Sequence, residues 1–181
     1  MTDPQTFAAA ILYRDLSAEH ARLLRDSSRR LLVIGGSDDQ DVLIAIKALH
    51  YGMTNPFTSI VVVCPTAYHA RSIMRKIIEI AQNSRLKRLV RRKWGALMLA
   101  NGSRITVLVS GRKGLALRGH VAHLVIVIDA LSISPRVIEE AVFPMLATTD
   151  GICWFMIPRM PDHTVYRILM LADMNVHALG S

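Results

Sequence analysis

Short runs of apolar and β-branched residues alternate along the chain with segments in which apolar residues recur every three or four positions. The short runs predict β-strands at residues 31–34, 59–64, 96–100, 104–109, 123–128 and 152–157. The longer spacing predicts amphipathic helices at residues 17–25, 41–51, 67–81 and 135–146. Several predicted strands are apolar throughout, which is typical of strands covered on both faces. The alternation therefore predicts an α/β fold, in which a mainly parallel sheet carries helices on both faces in three layers.

One pair of predicted strands departs from the parallel pattern. Asn101-Gly102 separates residues 96–100 from residues 104–109, and this dipeptide is typical of tight hairpin turns. We therefore expect these two strands to be antiparallel. In open parallel sheets, ligands bind beyond the carboxyl ends of the strands. This rule directs attention to the segments at residues 35–41, 65–66, 129–130 and 158–159.

The composition is that of a globular domain. The chain has 181 residues, of which 51% are hydrophobic and 20% are charged, so it can bury a core and is too apolar for disorder. We expect a single domain over residues 1–181, with an N-terminal helical segment at 1–28 and an α/β core at 29–175.

Targeting and metal-binding signals are absent from the sequence. No apolar run reaches the roughly 20 residues that a membrane span needs, and the N-terminus lacks the basic start of a signal peptide. Cys64 and Cys153 lie inside apolar strands and are predicted to be core residues, with no metal site at ligand spacing. We expect a cytoplasmic protein without membrane contact.

Charge gives the first functional indication. Lys and Arg number 22 against 14 Asp and Glu, a formal net charge of +8, which suggests a polyanionic partner. Residues 71–93 hold nine bases, and Glu79 is the only acid there. This cluster is either a solvated helix surface or a set of DNA phosphate contacts, and Trp94 beside it either packs or stacks on a base or sugar. The candidate DNA-binding residues are Arg85, Lys87, Arg88, Arg91, Arg92, Lys93, Arg112 and Lys113.

The segment at residues 35–41 follows the first strand and precedes a helix, which is the position of a phosphate-binding loop. Such a loop needs a lysine on the phosphates and a Ser or Thr on magnesium, but no basic residue lies between Arg30 and Lys47. Asp38, Asp39 and Asp41 would instead repel a triphosphate by about 1 to 4 kcal/mol per charge pair. The alternative interpretation is an acidic first turn that complements the helix dipole.

The predicted strand at residues 123–128 ends at a single carboxylate, Asp129. ATPases of this type carry adjacent Asp and Glu here, one for magnesium and one for the attacking water, and Ile128 occupies the magnesium position. Asp129 is therefore either a helix cap or turn residue, or a remaining catalytic base.

Several motifs, in this order, resemble those of the ATPase domain of the large subunit of viral DNA-packaging terminases. The similar segments are residues 16–25, 29–34, 60–66, Asn101-Gly102-Ser103, Leu117-Arg118-Gly119 and 136–158. By this resemblance, Glu19-His20 stands in the place of a Trp-Gln pair near the adenine, and Gln40 or Asp41 in that of the loop lysine. Met156-Ile157-Pro158 replaces a Ser-Thr-Pro coupling segment.

The resemblance implies a P-loop-NTPase-like sheet of the ASCE or RecA type, with ATP and Mg²⁺ as the family's cofactors. It assigns Asp129 as the catalytic position and Ile157 and Pro158 as the coupling segment. The residues placed at the nucleotide by position are His20, Gly35, Gly36, Asp39, Gln40, Asp41 and Arg118. Because the departures fall on these chemical positions, we expect ATP hydrolysis to be impaired or absent. Arg118 is then expected to pair with Asp129 or with Asp38, Asp39 or Asp41, or else to face DNA with Arg112 and Lys113.

The expected partners are double-stranded DNA, further copies of the chain, and portal or small-subunit proteins, in a host-cell cytoplasm if the protein is viral. The family's nuclease domain is not expected within 181 residues. Two alternatives stay open: a basic, non-enzymatic DNA-binding or assembly subunit on a retired ATPase fold, and a helicase-like or RNA-modification-associated ATPase domain.

Overall fold

The computed structural model describes residues 3–35, 40–158 and, for the backbone only, 175–178. The chain opens with two helices, α1 (Pro4–Leu12) and α2 (Ala18–Arg25). Asp3 caps the start of α1, where its carboxylate accepts a hydrogen bond from the backbone N–H of Thr6 at 2.9 Å. The same carboxylate accepts a second hydrogen bond from Arg25 Nε at 2.7 Å. These hydrogen bonds hold the pKa of Asp3 well below its usual range. The same carboxylate therefore caps one helix and joins it to the end of the other.

A single mixed sheet of eight strands forms the centre of the described fold. Its strands are β1 (Arg30–Ile34), β2 (Ser59–Cys64), β3 (Val90–Lys93), β4 (Ala96–Leu99), β5 (Arg104–Val109), β6 (Leu124–Val127), β7 (Ile152–Ile157) and β8 (Asn175–Ala178). Their order across the sheet is β3-β4-β5-β2-β6-β7-β1-β8. All neighbours are parallel except β3–β4 and β4–β5, so the antiparallel hairpin predicted around Asn101-Gly102 is confirmed.

Helices cover both faces of the sheet, as the sequence predicts. On one face, α1, α2, α3 (Gln40–Thr54) and α4 (Ala67–Gln82) pack on a core that includes Trp154. On the other face, a 3₁₀ turn at Leu115–Leu117 and the helical segment after β6 pack on a second core that includes Phe155. Successive side chains of β7 thus anchor opposite layers, because side chains alternate along a strand.

The segment predicted as one helix at residues 135–146 has three parts. Short α-helices α5 (Pro135–Val137) and α6 (Phe143–Leu146) flank a π-helical turn at Ile138–Val142. Pro144 lies inside this continuous helical run and has no N–H to donate to the preceding turn, which coincides with the local change to π-helical geometry.

The basic segment at residues 71–93 does not form one helix surface. It runs through α4, a 3₁₀ turn at Arg85–Arg88 and β3, which is an edge strand of the sheet. The interpretation of the whole cluster as a solvated helix face is therefore wrong for residues 85–93. No helix of the described residues is long and apolar enough to cross a membrane.

Candidate functional site

The segments singled out in the sequence meet at one edge of the sheet. Strands β1, β2, β5, β6 and β7 are parallel, so their carboxyl ends share this edge, which we call the carboxyl edge. One strand, β7, lies between β6, which leads to Asp129, and β1, which leads to the loop at residues 35–41. The fold therefore brings the two predicted parts of a nucleotide site to the same side of the sheet.

Gly35 fixes the start of that loop. Its φ angle is 91°, a left-handed conformation that residues with a side chain rarely adopt. Its N–H donates to the carbonyl oxygen of Ile157 at 3.0 Å. The first residue of the loop is thus bonded to the end of β7, the segment predicted to have a coupling role with Pro158, which is exposed. The candidates Gly36, Asp38 and Asp39 lie outside the described residues.

The first turn of α3 carries Gln40 and Asp41, the two positions aligned with the loop lysine. Asp41 is half-buried, and the hydroxyl of Ser72 donates to its carboxylate at 3.4 Å. Burial, together with the negative charge of Asp41, raises the pKa of the Cys64 thiol to about 12. Asp41 therefore places negative charge beside the carboxyl end of β2. An acid in this turn also complements the helix dipole.

Lys47 is the nearest cation after the loop, and the fold directs it into the core. It lies seven residues beyond Gln40, or about 10 Å along α3. Its Nζ donates to the carbonyl oxygen of Leu24 at 3.1 Å and lies 4.3 Å from the ring centroid of Trp154. The residue is only 4% exposed, and burial lowers its pKa to about 8. Sequence reasoning missed this buried cation, which cannot take the place of a loop lysine.

Asp129 follows β6 in a left-handed conformation, with φ 47° and ψ 57°. The hydroxyl of Ser132 donates a hydrogen bond to its carboxylate, which makes no capping bond to a backbone N–H of the 3₁₀ turn at Ala130–Ser132. The preceding residue, Ile128, is 8% exposed and belongs to the core beneath α3 and α4. The residue that the resemblance assigns to the magnesium position is thus an apolar core side chain. Among the described residues, no group of His, Cys, Asp or Glu could hold a metal ion.

His20 lines a pocket of about 330 Å³ between the N-terminal segment and the first turns of α3. The chain between α1 and α2 forms one wall and α3 forms the other. The lining residues are Tyr13, Arg14, Asp15, Leu16, His20, Val42, Leu43 and Ile46. The pocket therefore lies against the first turns of α3, which carry Gln40 and Asp41. A larger pocket of about 480 Å³ is lined by Arg29 and Gly151, at the amino ends of β1 and β7, so it belongs to the opposite edge.

Arg118 has a different partner from those expected. Its Nη2 lies 3.4 Å from Glu140 Oε2, and Arg136 Nε lies 2.6 Å from Oε1 of the same carboxylate. The expected pairing with Asp129 or Asp41 is therefore wrong, because the Leu115–Leu117 turn packs on the π-helical turn that carries Glu140. The other two expected partners, Asp38 and Asp39, lie outside the described residues. Exposed pairs of this kind contribute about 0 to 1 kcal/mol.

The candidate DNA-binding residues are all exposed and fall into two groups. Arg112 and Lys113 follow β5 at the carboxyl edge, and the others lie along the turn at residues 85–88 and on β3. Arg85 is partly engaged, since its Nε donates to the hydroxyl of Tyr13 at 3.2 Å. The structure thus spreads the positive charge over the β3 side of the sheet.

Solved structures share this arrangement of sheet and helices. The large-terminase ATPase domain of Thermus phage P74-26 matches with a TM-score of 0.77 and 16% identity, over 92% of this chain and 82% of that one. This chain has the fold of a phage large-terminase ATPase domain. The HK97 bacteriophage large terminase matches with a TM-score of 0.77 and 13% identity, over 98% of this chain and 44% of that one. The sequence itself matches no family model and no curated protein.

A further terminase-fold neighbour carries a nucleotide. The large terminase of a thermophilic bacteriophage, solved in complex with ADP, matches with a TM-score of 0.70 and 11% identity, over 91% of this chain and 45% of that one. The predicted terminase-like fold, a mostly parallel α/β sheet with helices on both faces, is confirmed. At these identities the likeness establishes the fold.

Proposed function

We propose that this chain is a terminase-like ATPase-fold subunit that serves viral DNA packaging and does not hydrolyse ATP by itself. The proposal rests on the two positions that the resemblance assigns to the loop lysine and to magnesium. Gln40 and Asp41 supply no cation, the next cation along the chain, Lys47, is buried against Leu24 and Trp154, and Ile128 is buried in the core.

Weak nucleotide binding is compatible with the remaining geometry. The pocket beside His20 has room for a base, and Gly35 keeps the left-handed conformation with which the loop leaves β1. The phosphates would meet Asp41 without a compensating lysine, so each pair of like charges disfavours them by about 1 to 4 kcal/mol. We therefore expect a dissociation constant no better than about millimolar for ATP with magnesium.

The DNA partner is supported by charge. The chain has a net charge of +8, and its exposed bases concentrate on the β3 side of the sheet and after β5. Double-stranded DNA, further copies of the chain, and portal or small-subunit proteins are the partners that packaging would require. A non-enzymatic DNA-binding subunit is the second candidate, favoured by the acidic, lysine-free segment at residues 35–41 together with the net charge of +8.

Thermal unfolding with and without ATP and magnesium tests the nucleotide part. At a ligand concentration equal to a millimolar dissociation constant, binding stabilises the protein by about 0.4 kcal/mol, a shift of about 1 °C. Gln40→Lys adds a phosphate cation and should tighten binding about tenfold, which raises the shift to about 4 °C. Gln82→Lys, at the exposed end of α4, is the matched control.

The outcomes separate the two candidates. A shift that rises to about 4 °C with Gln40→Lys and stays near 1 °C with Gln82→Lys supports a weak nucleotide site that lacks its phosphate cation. No shift in any of the three proteins favours the non-enzymatic subunit. A shift of several degrees in the unaltered protein would contradict the proposed weak site.

A further inference from the structure

The turn between β3 and β4 exposes a tryptophan without packing it. Trp94 and Gly95 form the two-residue turn, with φ angles of 50° and 76°. Asn-Gly is the usual sequence for this turn type, and a bulky residue in a left-handed conformation is strained. Trp94 is nevertheless 87% exposed. The interpretation that Trp94 is a packing residue is therefore wrong.

The strand register places three bases on one face of the same sheet extension. Arg91 lies opposite Met98, and Met98 lies opposite Arg104. Lys93 lies opposite Ala96, two residues along β3 from Arg91. Residues directly opposite each other share a face, as do alternate residues of a strand, so Arg91, Lys93 and Arg104 point to the same side. Adjacent positions of this kind are about 5 to 10 Å apart.

These bases are available to a ligand. All three are exposed, and among residues 3–35 and 40–158 none of the ion pairs involves them. Arg104 Nε donates to Ser59 Oγ at 3.1 Å, which orients the guanidinium. This bond does not use the two terminal nitrogens, which can contact a phosphate. Lys93 Nζ lies 3.9 Å from the Trp94 ring centroid, so it covers one face of the indole. The other face is open for stacking.

We infer that this surface, composed of Arg91, Lys93, Trp94 and Arg104, binds a single-stranded segment of DNA. Phosphates contact the three bases, and an unpaired nucleobase stacks on the free face of the indole, as bases do on aromatic residues in single-strand-binding proteins. Charged residues on an edge strand also block pairing with other strands. That role explains the bases but not a strained, exposed tryptophan at the turn.

The strand directions place the Trp94 end of this surface on the side of the candidate nucleotide site, whereas Arg104, the first residue of β5, lies toward the opposite edge. β3 and β5 are each antiparallel to β4, so β3 points toward the carboxyl edge, and the Trp94 turn opens there. Four strand intervals separate β3 from β6, or about 19 Å. A strand held on β3 would therefore pass the site without filling it. The inference deepens the proposed DNA-packaging function and rests on its DNA partner, but it does not depend on nucleotide binding.

Fluorescence anisotropy with a labelled oligothymidylate of about 20 nucleotides, beside a duplex of equal length, tests the inference. Trp94→Asn removes the ring and suits the left-handed turn, so the variant should fold at least as well as the parent. We expect it to bind the single strand about tenfold more weakly and the duplex nearly as well. Tyr68→Ala, which removes another exposed aromatic residue from α4, is the matched control.

The charge arm uses Arg91→Gln with Lys93→Gln, against Arg71→Gln with Arg75→Gln on the exposed face of α4. We expect only the β3 pair to lower single-strand affinity markedly and to flatten its dependence on salt. Equal losses from both pairs, or single-strand binding unaffected by Trp94→Asn, overturn the inference. Duplex binding that persists in that case leaves the proposed DNA partner standing. Absence of binding to either DNA overturns both the inference and that partner, whereas the nucleotide measurements remain independent.

Discussion

The buried cation Lys47 makes a quantitative prediction about how stability depends on pH. Its ammonium group lies beneath α2, bonded to the carbonyl oxygen of Leu24 and stacked against Trp154, with 4% of the residue exposed. Burial lowers its pKa from 10.5 to about 8 in the folded protein. Between those values the unfolded chain holds a proton that the folded protein has released, so stability rises with pH.

The size of this effect follows from the two pKa values. A lowering from 10.5 to about 8 corresponds to about 3 kcal/mol of burial penalty on the charged form. The contact of Nζ with the Trp154 ring favours the charged form by about 1 kcal/mol and so offsets part of that penalty. We therefore expect about 2 kcal/mol of stability to be gained between pH 7 and pH 10.

Lys47→Met isolates this contribution, because methionine keeps an unbranched apolar stem and does not titrate. The assay is urea unfolding of parent and variant at both pH values. The parent should gain about 2 kcal/mol relative to the variant as the pH rises. Burial raises the pKa values of Cys64 and Cys153, so these thiols lower the free energy of unfolding as the pH rises above the ordinary thiol pKa. Parent and variant both contain them, so this contribution cancels in the comparison. Lys87→Met, at an exposed position, controls for the substitution itself.

A parent-to-variant difference in unfolding free energy that stays constant with pH, within about 0.5 kcal/mol, would refute the reasoning. It would mean that water or a carboxylate reaches Lys47 and keeps its ammonium group solvated. Lys47 would then be a solvated cation that could be considered as a phosphate ligand.

Three other substitutions test separate parts of the account. Gly35→Ala forces a side chain into a φ of 91° and should lower the free energy of unfolding by about 1 to 2 kcal/mol in urea titrations; no loss would mean that the loop can relax. Arg118→Ala should change that free energy by less than about 1 kcal/mol, because its pair with Glu140 is exposed and Arg136 retains its own; a larger loss would assign Arg118 a structural role. Ile128→Asp should cost at least about 3 kcal/mol, since it buries a charge in the core, and circular dichroism melting should show a strongly destabilised protein, whereas an unchanged melt would show that the magnesium position is accessible.

The sequence pattern predicted the parts of the fold that depend on local order. Five parallel strands and the Asn101-Gly102 hairpin follow from apolar runs and turn chemistry, which act within a few residues. Strand β3 did not follow, because Arg91-Arg92-Lys93 has no strand-like apolar pattern and becomes extended only through its pairing with β4. Short-range rules do not register pairings of that kind.

The candidate site shows the same division. The position of Asp129 after a buried strand was predictable, and so was its place on the same edge as Gly35, because parallel strands bring these ends together. The partner of Arg118 was not, since Glu140 lies on a helical turn whose contact with the loop is set by packing. The burial of Lys47 was also hidden, because one lysine in α3 does not disturb an otherwise apolar face.

Phosphate release from ATP and magnesium, followed at steady state with and without duplex DNA, tests the central claim most directly. The account predicts no release above a protein-free blank, because no lysine stands at residues 35–41 and buried Ile128 stands where the resemblance places the magnesium carboxylate. Steady release by the unaltered chain that disappears in Asp129→Asn would contradict it. Such a result would show that one carboxylate suffices, and that the site at the carboxyl edge is a working ATPase.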